Sequence, residues 1–131
     1  MFLDASAAIA IIAREGDAAT LAGRLRQAKE VHTSAIAIYE TVLGLARLGQ
    51  TSIPDAQAVL DRFVESARVQ VVPITAEIGR FALSAFDRYG RGRHPAALNM
   101  GDCFAYGCAR QLDMPLLCKG DDFPLTDITI A

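Results

Sequence analysis

Acidic residues stand at four widely separated places in this chain, each where a solvated surface charge is not the natural reading. Asp4 ends the first apolar run, Met1-Phe-Leu-Asp, and Glu40 interrupts the apolar helix Ile36-Ala-Ile-Tyr-Glu-Thr-Val-Leu. Asp102 opens the helix Gly101-Asp-Cys-Phe-Ala-Tyr, and Asp121 and Asp122 close the run Pro115-Leu-Leu-Cys-Lys-Gly-Asp-Asp-Phe. A fold that gathers them holds a carboxylate cluster, tolerable chiefly when it binds a hard divalent cation. Oxygen-only ligands favour magnesium or manganese over zinc. The chemistry implied is metal-dependent and acts on phosphate esters.

Each acid has a plainer reading. Asp4, followed by Ala5-Ser6, is placed to cap the next helix. Asp102 in a first turn gains from the helix dipole, and Asp121-Asp122 after Lys119-Gly120 fits a solvated turn. Glu40 resists such a reading: Ile36, Leu43 and Gly44, its neighbours one turn away, set it on an apolar face. A buried carboxylate without a partner costs several kcal/mol or protonates. Arg47, two turns on, is the one structural partner in reach. The joint pattern outweighs the separate readings, because carboxylates brought together repel unless a divalent ion sits among them.

Arg88, Arg91, Arg93 and His94 crowd the segment Asp87-Arg-Tyr-Gly-Arg-Gly-Arg-His-Pro, just upstream of Asp102. Arginines suit bidentate contact with phosphates, and glycines let backbone approach a ligand. A basic rim beside an acidic metal site is what hydrolysis of a polyanion requires. The bland alternative is a basic loop with no ligand. His94 is not needed as a general base, and Tyr39 and Tyr106 read as packing residues. Walker, dinucleotide-fingerprint, zinc-protease and serine-hydrolase motifs are all missing.

The elements that must position these residues follow from hydrophobic periodicity. Strands are expected at Met1–Leu3, Val31–Thr33, Val69–Val72 and Leu116–Lys119, with a possible edge strand at Ile128–Ile130. Helices are expected over Ser6–Ala13, from Asp17 through Ala28, over Ala35–Leu48 with Ser34 as cap and Gly49 as stop, over Ile53–Ala67, from Thr75 to Tyr89, and over Gly101–Leu112. Short apolar strands alternating with amphipathic helices imply an α/β fold with a central, mostly parallel sheet flanked by helices. Ligands of such sheets bind beyond the carboxyl ends of the strands. Asp4 and the Asp121/Asp122 pair both follow a strand directly, and so belong near one another.

A chain of 131 residues, 52% hydrophobic and 21% charged, suits one domain over residues 1–131 with a core of its own. No apolar stretch approaches the ~20 residues of a membrane span. The acid at position 4 does not suit a signal peptide, so a cytoplasmic location is expected. Cys103, Cys108 and Cys118 lack zinc spacing and read as packing residues. The net charge of −2 does not advertise a nucleic-acid binder, but a local basic patch serves as well.

Together these segments resemble the PIN-domain ribonucleases, specifically the VapC-type toxins of bacterial toxin–antitoxin pairs. The resemblance is carried by Phe2-Leu-Asp-Ala-Ser-Ala, Tyr39-Glu-Thr, the run from Tyr89 to Tyr106, and Leu116-Leu-Cys-Lys-Gly-Asp-Asp-Phe-Pro-Leu-Thr-Asp-Ile. It implies a single PIN domain whose acidic set falls on Asp4, Glu40, Asp102 and one acid of the Gly-Asp-Asp-Phe turn. Asp122, directly before Phe123, is the better match and Asp121 an assisting residue; Ser6 and Thr126 match small hydroxyl positions near the metal site. The implied reaction is in-line hydrolysis of RNA phosphodiesters, leaving 5′-phosphate and 3′-hydroxyl ends, with one or two Mg²⁺ ions (Mn²⁺ as substitute). Asp4 and Asp102 are then the main metal ligands, with Glu40 and Asp122 orienting water or holding a second ion. The implied partners are RNA, a VapB-type antitoxin, and a second copy or a toxin–antitoxin hetero-oligomer. The first helix, apolar nearly all round, is expected to lend its surplus face at Ile9 and Ile12 to one of these contacts. A catalytically silent PIN-like binding module is the alternative of another class, separated by metal dependence. A receiver-like phosphoacceptor leaves Glu40 and the arginine loop unexplained, and a flap-directed PIN nuclease is expected to be longer.

Overall fold

The computed structural model describes residues 1–131. Four short strands, β1 (Phe2–Leu3), β2 (His32–Ser34), β3 (Gln70–Val72) and β4 (Leu116–Leu117), form one sheet in the order β3-β2-β1-β4. Every pairing is parallel, with Phe2 opposite both His32 and Leu116. Six helices connect and cover them: α1 (Ala5–Ile12), α2 (Ala18–Gln27), α3 (Ala35–Gly49), α4 (Ile53–Ser66), α5 (Ala76–Tyr89) and α6 (Met100–Gln111). This is the α/β fold with a central parallel sheet that the periodicity predicts.

The two-residue period of the strands divides the core. Phe2 and Leu116 point into a cluster with Ile78, Ala82, Ala85, Cys103 and Tyr106 from α5 and α6. Leu3 and Leu117, one residue on, point the other way and pack with Ala7, Ala10, Leu21 and Leu25 from α1 and α2. Gly107 lets α6 lie close on α5, since a Cβ there would stand 2.8 Å from the Ile78 carbonyl oxygen. The α3 helix contacts both α1 and α6, so it spans the end of the sheet where β1 delivers Asp4.

Some boundaries differ from expectation. Gly49 remains inside α3, and Gln50 takes the left-handed conformation that ends it. Asp17 precedes α2 without a side-chain cap, and its carboxylate faces Lys119 at 3.4 Å instead. The last strand stops at Leu117, because the Lys119 N–H is drawn off to the Ser6 hydroxyl at 2.9 Å and Gly120 turns the chain at φ +95°. The expected edge strand at residues 128–130 is reduced to a single parallel bridge between Leu116 and Ile130. No helix is long and apolar enough to cross a membrane.

Candidate active site

Asp4 leaves the carboxyl end of β1 and caps α1, accepting from the Ser6 N–H at 2.9 Å and from the Ser6 hydroxyl at 2.5 Å. The plain capping role is real, but a cap has no need to be buried, and Asp4 is only 3% exposed. Burial pushes its carboxyl above the usual range against the pull of the Ser6 bonds. Ser6 is the hinge of this arrangement, donating to Asp4 while accepting from the Lys119 backbone. It thereby ties α1 to the segment that follows β4.

Glu40 reaches in from α3, half-buried, with its carboxylate lying over Gly101 in the first turn of α6. Burial, then the charges of Asp4 and Asp102, push it up to about 7. Arg47 does not neutralise it, for Arg47 enters none of the ion pairs in the structure. Asp102 is held by a reciprocal cap. Its carboxylate accepts from the Asn99 N–H at 2.8 Å, and its own N–H donates to the Asn99 side chain at 3.0 Å. Burial still raises it, as do Asp4 and Asp122, while the Asn99 bond and Arg91 act to lower it.

Of the two acids in the Gly120 turn, both exposed, it is Asp122 whose charge reaches Asp102 and Cys118. Asp122 precedes a short 3-10 turn, Phe123–Leu125, without capping it, and so leaves its carboxylate free. Cys118 lies within the same field: burial and then Asp4 push its thiol up to about 12, with Asp102 and Asp122 adding to the rise. Like Cys103 and Cys108, raised to about 11, it is an unreactive packing residue.

In this arrangement no three carboxylates converge on one point as a completed metal cage. The donor set nonetheless fits a hard divalent ion. Asp4, Glu40 and Asp102 raise or are raised by one another without a neutralising partner, and a cation among them turns repulsion into attraction.

The basic loop is more ordered, and more occupied, than its composition suggests. The Leu98 and Arg91 N–H groups close it onto Tyr89 and Leu98, at 2.9 and 3.1 Å, and Gly92 makes its turn at φ +79°. Arg88 bonds Asp127 at 3.1 Å and the Tyr89 hydroxyl at 2.6 Å. Arg93 pairs with Asp87 at 3.0 Å and lies over Phe86. His94 accepts the Ala96 N–H through Nδ1 and packs edge-on against Tyr89. Arg91 alone of the three arginines has no ion-pair partner, and its charge is the one felt by Asp102.

Thr126 spends its hydroxyl on its own turn, donating to the Phe123 carbonyl at 2.7 Å and accepting from the Ile128 N–H at 3.3 Å. Tyr106 is buried as expected, whereas Tyr39 is 64% exposed beside Glu40 and is not a packing residue. Three contributors escaped the sequence reading: Asn99, Gly101 and Asp127. Asn99 was legible, since Asn three residues before Asp is capping-box spacing. Asp127 carries no such signal. It joins Arg88, Tyr106 and Arg110 in a clasp on the segment that bears Asp122.

A family model described as PIN domain matches residues 1–128. Ribonuclease VapC of Mycolicibacterium smegmatis is 40% identical over 130 residues, covering 98% of this chain and 97% of that relative. Ribonuclease VapC30 of Mycobacterium tuberculosis is 40% identical over 134 residues, covering 100% and 98%. A VapC ribonuclease of Rhizobium meliloti is 36% identical, covering 97% and 98%. The crystal structure of Mycobacterium tuberculosis VapC20, described as a sarcin-ricin loop cleaving toxin, superposes with a TM-score of 0.75 at 19% identity, over 99% of this chain and 97% of that one. The parallel α/β fold described above is thus shared with a solved VapC structure over nearly the whole of both chains. The chain belongs to the PIN-domain family and, within it, to the VapC ribonucleases.

Proposed function

We propose that this chain is a divalent-metal-dependent endoribonuclease and the toxin of a toxin–antitoxin pair. One observation carries the reading. Acids from four distant points of the sequence, at the end of β1, on α3, on α6 and in the turn after β4, lie within one another's electrostatic field, and none of them is in an ion pair. Asp4 and Asp102 are placed to hold the ion, Mg²⁺ or Mn²⁺, with Glu40 and Asp122 flanking it. When bound, the ion supplies an activated water and neutralises charge on the scissile phosphate. The chain's own work is positional. Ser6 fixes the Asp4 carboxylate, Asn99 fixes Asp102, and Glu40, strained by the charges of both, gains from a cation among them. Arg91 is the loop cation free to meet a backbone phosphate beside Asp102. Arg88, Arg93 and His94 support the loop from which it projects.

The relatives bear the VapC name, which supports a VapB-type antitoxin as partner. Ile9 is taken up in packing against Gly44 of α3, so the surplus face expected of α1 narrows to Ile12, which with the exposed Leu48 of α3 suits the antitoxin's apolar segment or a second copy of the toxin. The deciding experiment is cleavage of end-labelled bacterial tRNA and ribosomal RNA with Mg²⁺, with EDTA, and with Asp102→Asn. Discrete fragments that vanish in both controls are expected, with the melting temperature of the variant equal to or above that of the wild type. RNA binding without cleavage in either Mg²⁺ or Mn²⁺ would make the chain a silent binding module. Full activity in Asp102→Asn would remove Asp102 from the site.

A further inference from the structure

Gly101 is the second residue of α6, buried, and its backbone makes no use of glycine's conformational freedom. The glycines with positive φ are Gly92 and Gly120. Within a helix glycine is disfavoured relative to alanine, so its presence here calls for a reason of space. A Cβ added at Gly101 would collide with three atoms first, Oε1, Oε2 and Cδ, and all three belong to the Glu40 carboxylate. At Gly44 the same addition meets the Ile9 side chain, and at Gly107 the Ile78 backbone, so those two serve packing between helices. Only at Gly101 is the vacant volume filled by a charged group of the candidate site.

We propose that Gly101 is a positioning residue: its missing side chain is the seat that keeps the Glu40 carboxylate inside the acidic site, against the start of α6 and beside Asp102. The inference rests on the metal-ion reading above. Glu40 comes from a different helix on a long, flexible side chain, and Asp4 and Asp102 both repel it. Left unconfined, such a carboxylate swings out to water. The first turn of α6 holds it from behind, where the positive end of the helix dipole favours an anion. An alanine at 101 would change no charge and remove no hydrogen-bond donor. It would occupy the seat, so its effect on the site must pass through Glu40.

That dependence is measurable as a double-mutant cycle on Mn²⁺ binding, followed by the paramagnetic resonance of free Mn²⁺ without RNA. Gly101→Ala is expected to weaken Mn²⁺ binding by about tenfold or more, the size of loss seen when a ligand's support is removed. In the Glu40→Ala background the same substitution is expected to change the affinity by less than about twofold, because the group it displaces is gone. Cleavage of RNA should fall with the single substitution. Equal losses of Mn²⁺ affinity in both backgrounds, or none in either, would overturn the seat. Folded wild-type protein that binds no Mn²⁺ would overturn the metal reading itself, and the seat with it. Should Gly101→Ala prove too unstable to titrate, the melting temperature of Gly101→Ala/Glu40→Ala decides. Recovery to the value of Glu40→Ala alone supports the seat, and failure to recover overturns it.

Discussion

Two groups of carboxylates lie on neighbouring parts of this molecule and are pushed in opposite directions. At Asp127, burial acts to raise the carboxyl, but hydrogen bonds from Tyr106, Arg110 and Arg88 outweigh it and hold the group at about 2. At Glu40, burial acts the same way, nothing opposes it, and the charges of Asp4 and Asp102 carry the group to about 7. The side chains are chemically alike; the difference is whether the fold supplies cations. Around Asp127 it supplies two arginines and a phenol, at 2.7 to 3.1 Å. Around Asp4, Glu40 and Asp102 it supplies only Ser6, Asn99 and the more distant Arg91. The clasp is electrostatically complete and holds the chain around Asp122 to α5 and α6. The acidic site has no such complement from the chain itself.

Breaking the clasp should therefore harm folding where breaking the site should not. Asp127→Ala removes the shared acceptor of Tyr106, Arg88 and Arg110 and is expected to lower stability by about 1–2 kcal/mol, the ion pairs being half exposed and only the phenol buried. Urea unfolding measures it. Asp127→Asn, which keeps an acceptor, should lose about half as much. Both variants are expected to retain Mg²⁺-dependent cleavage, the converse of Asp102→Asn. An unchanged urea midpoint in Asp127→Ala would mean that the clasp fastens nothing.

The same contrast explains what could be read from the sequence. The strands, helices and most caps are local and periodic, so Ser34 is the cap that its spacing predicts, and Ser52 and Thr75 cap α4 and α5 in the same way. The parallel sheet follows from the alternation of elements, and β1 delivers Asp4 where an open sheet places its ligands. The interior of the arginine loop was not legible. Composition marks four cationic candidates, but only tertiary contact reveals that Asp127 takes Arg88 and Asp87 takes Arg93. The bonds of Thr126 are equally hidden in composition, its hydroxyl being engaged within its own turn. Gly101 was passed over because a glycine beside an acid carries no signal until the helix that faces it is known.

The opposite shifts also give opposite responses to pH. In the unfolded chain Glu40 titrates near its ordinary value of 4.5, and in the folded metal-free protein near 7. Between those values the folded state holds the extra proton, so stability is greatest below the lower value and falls as pH rises through the window. Asp127 does the reverse: its contribution is present above 3.8 and is lost as pH falls toward 2. After discounting for the half-exposed position of Glu40, the loss between pH 4.5 and 7 is about 1 kcal/mol, or roughly 4 °C in melting temperature. In EDTA the wild type should melt lower at pH 7 than at pH 5, and Glu40→Gln should show a smaller fall, the part that remains coming from Asp4 and Asp102, which burial also raises. Parallel curves for the two proteins would mean that Glu40 is not under strain from its neighbours.

The smallest effect expected is also the one that separates a substrate contact from a support. Arg91 and Arg93 lie two residues apart in the same loop, and composition alone cannot rank them. Arg93 is engaged by Asp87 and Phe86, so its charge is already answered within the protein. Arg91 has no such partner and acts on Asp102. If Arg91 meets one phosphate, Arg91→Ala should weaken RNA binding about three- to fivefold at low salt and flatten the dependence of log affinity on log salt by about 0.7, one single-strand contact. Arg93→Ala should leave that slope unchanged, and its effect should appear in the stability of the loop. Binding is best compared in the Asp102→Asn background, where the RNA survives the titration. Equal slopes for Arg91→Ala and its parent would assign the phosphate contact to another cation. A flattened slope would place the scissile strand between the loop and the acids, with Arg91 drawing the phosphate toward Asp102 across the one edge of the site that carries a free positive charge.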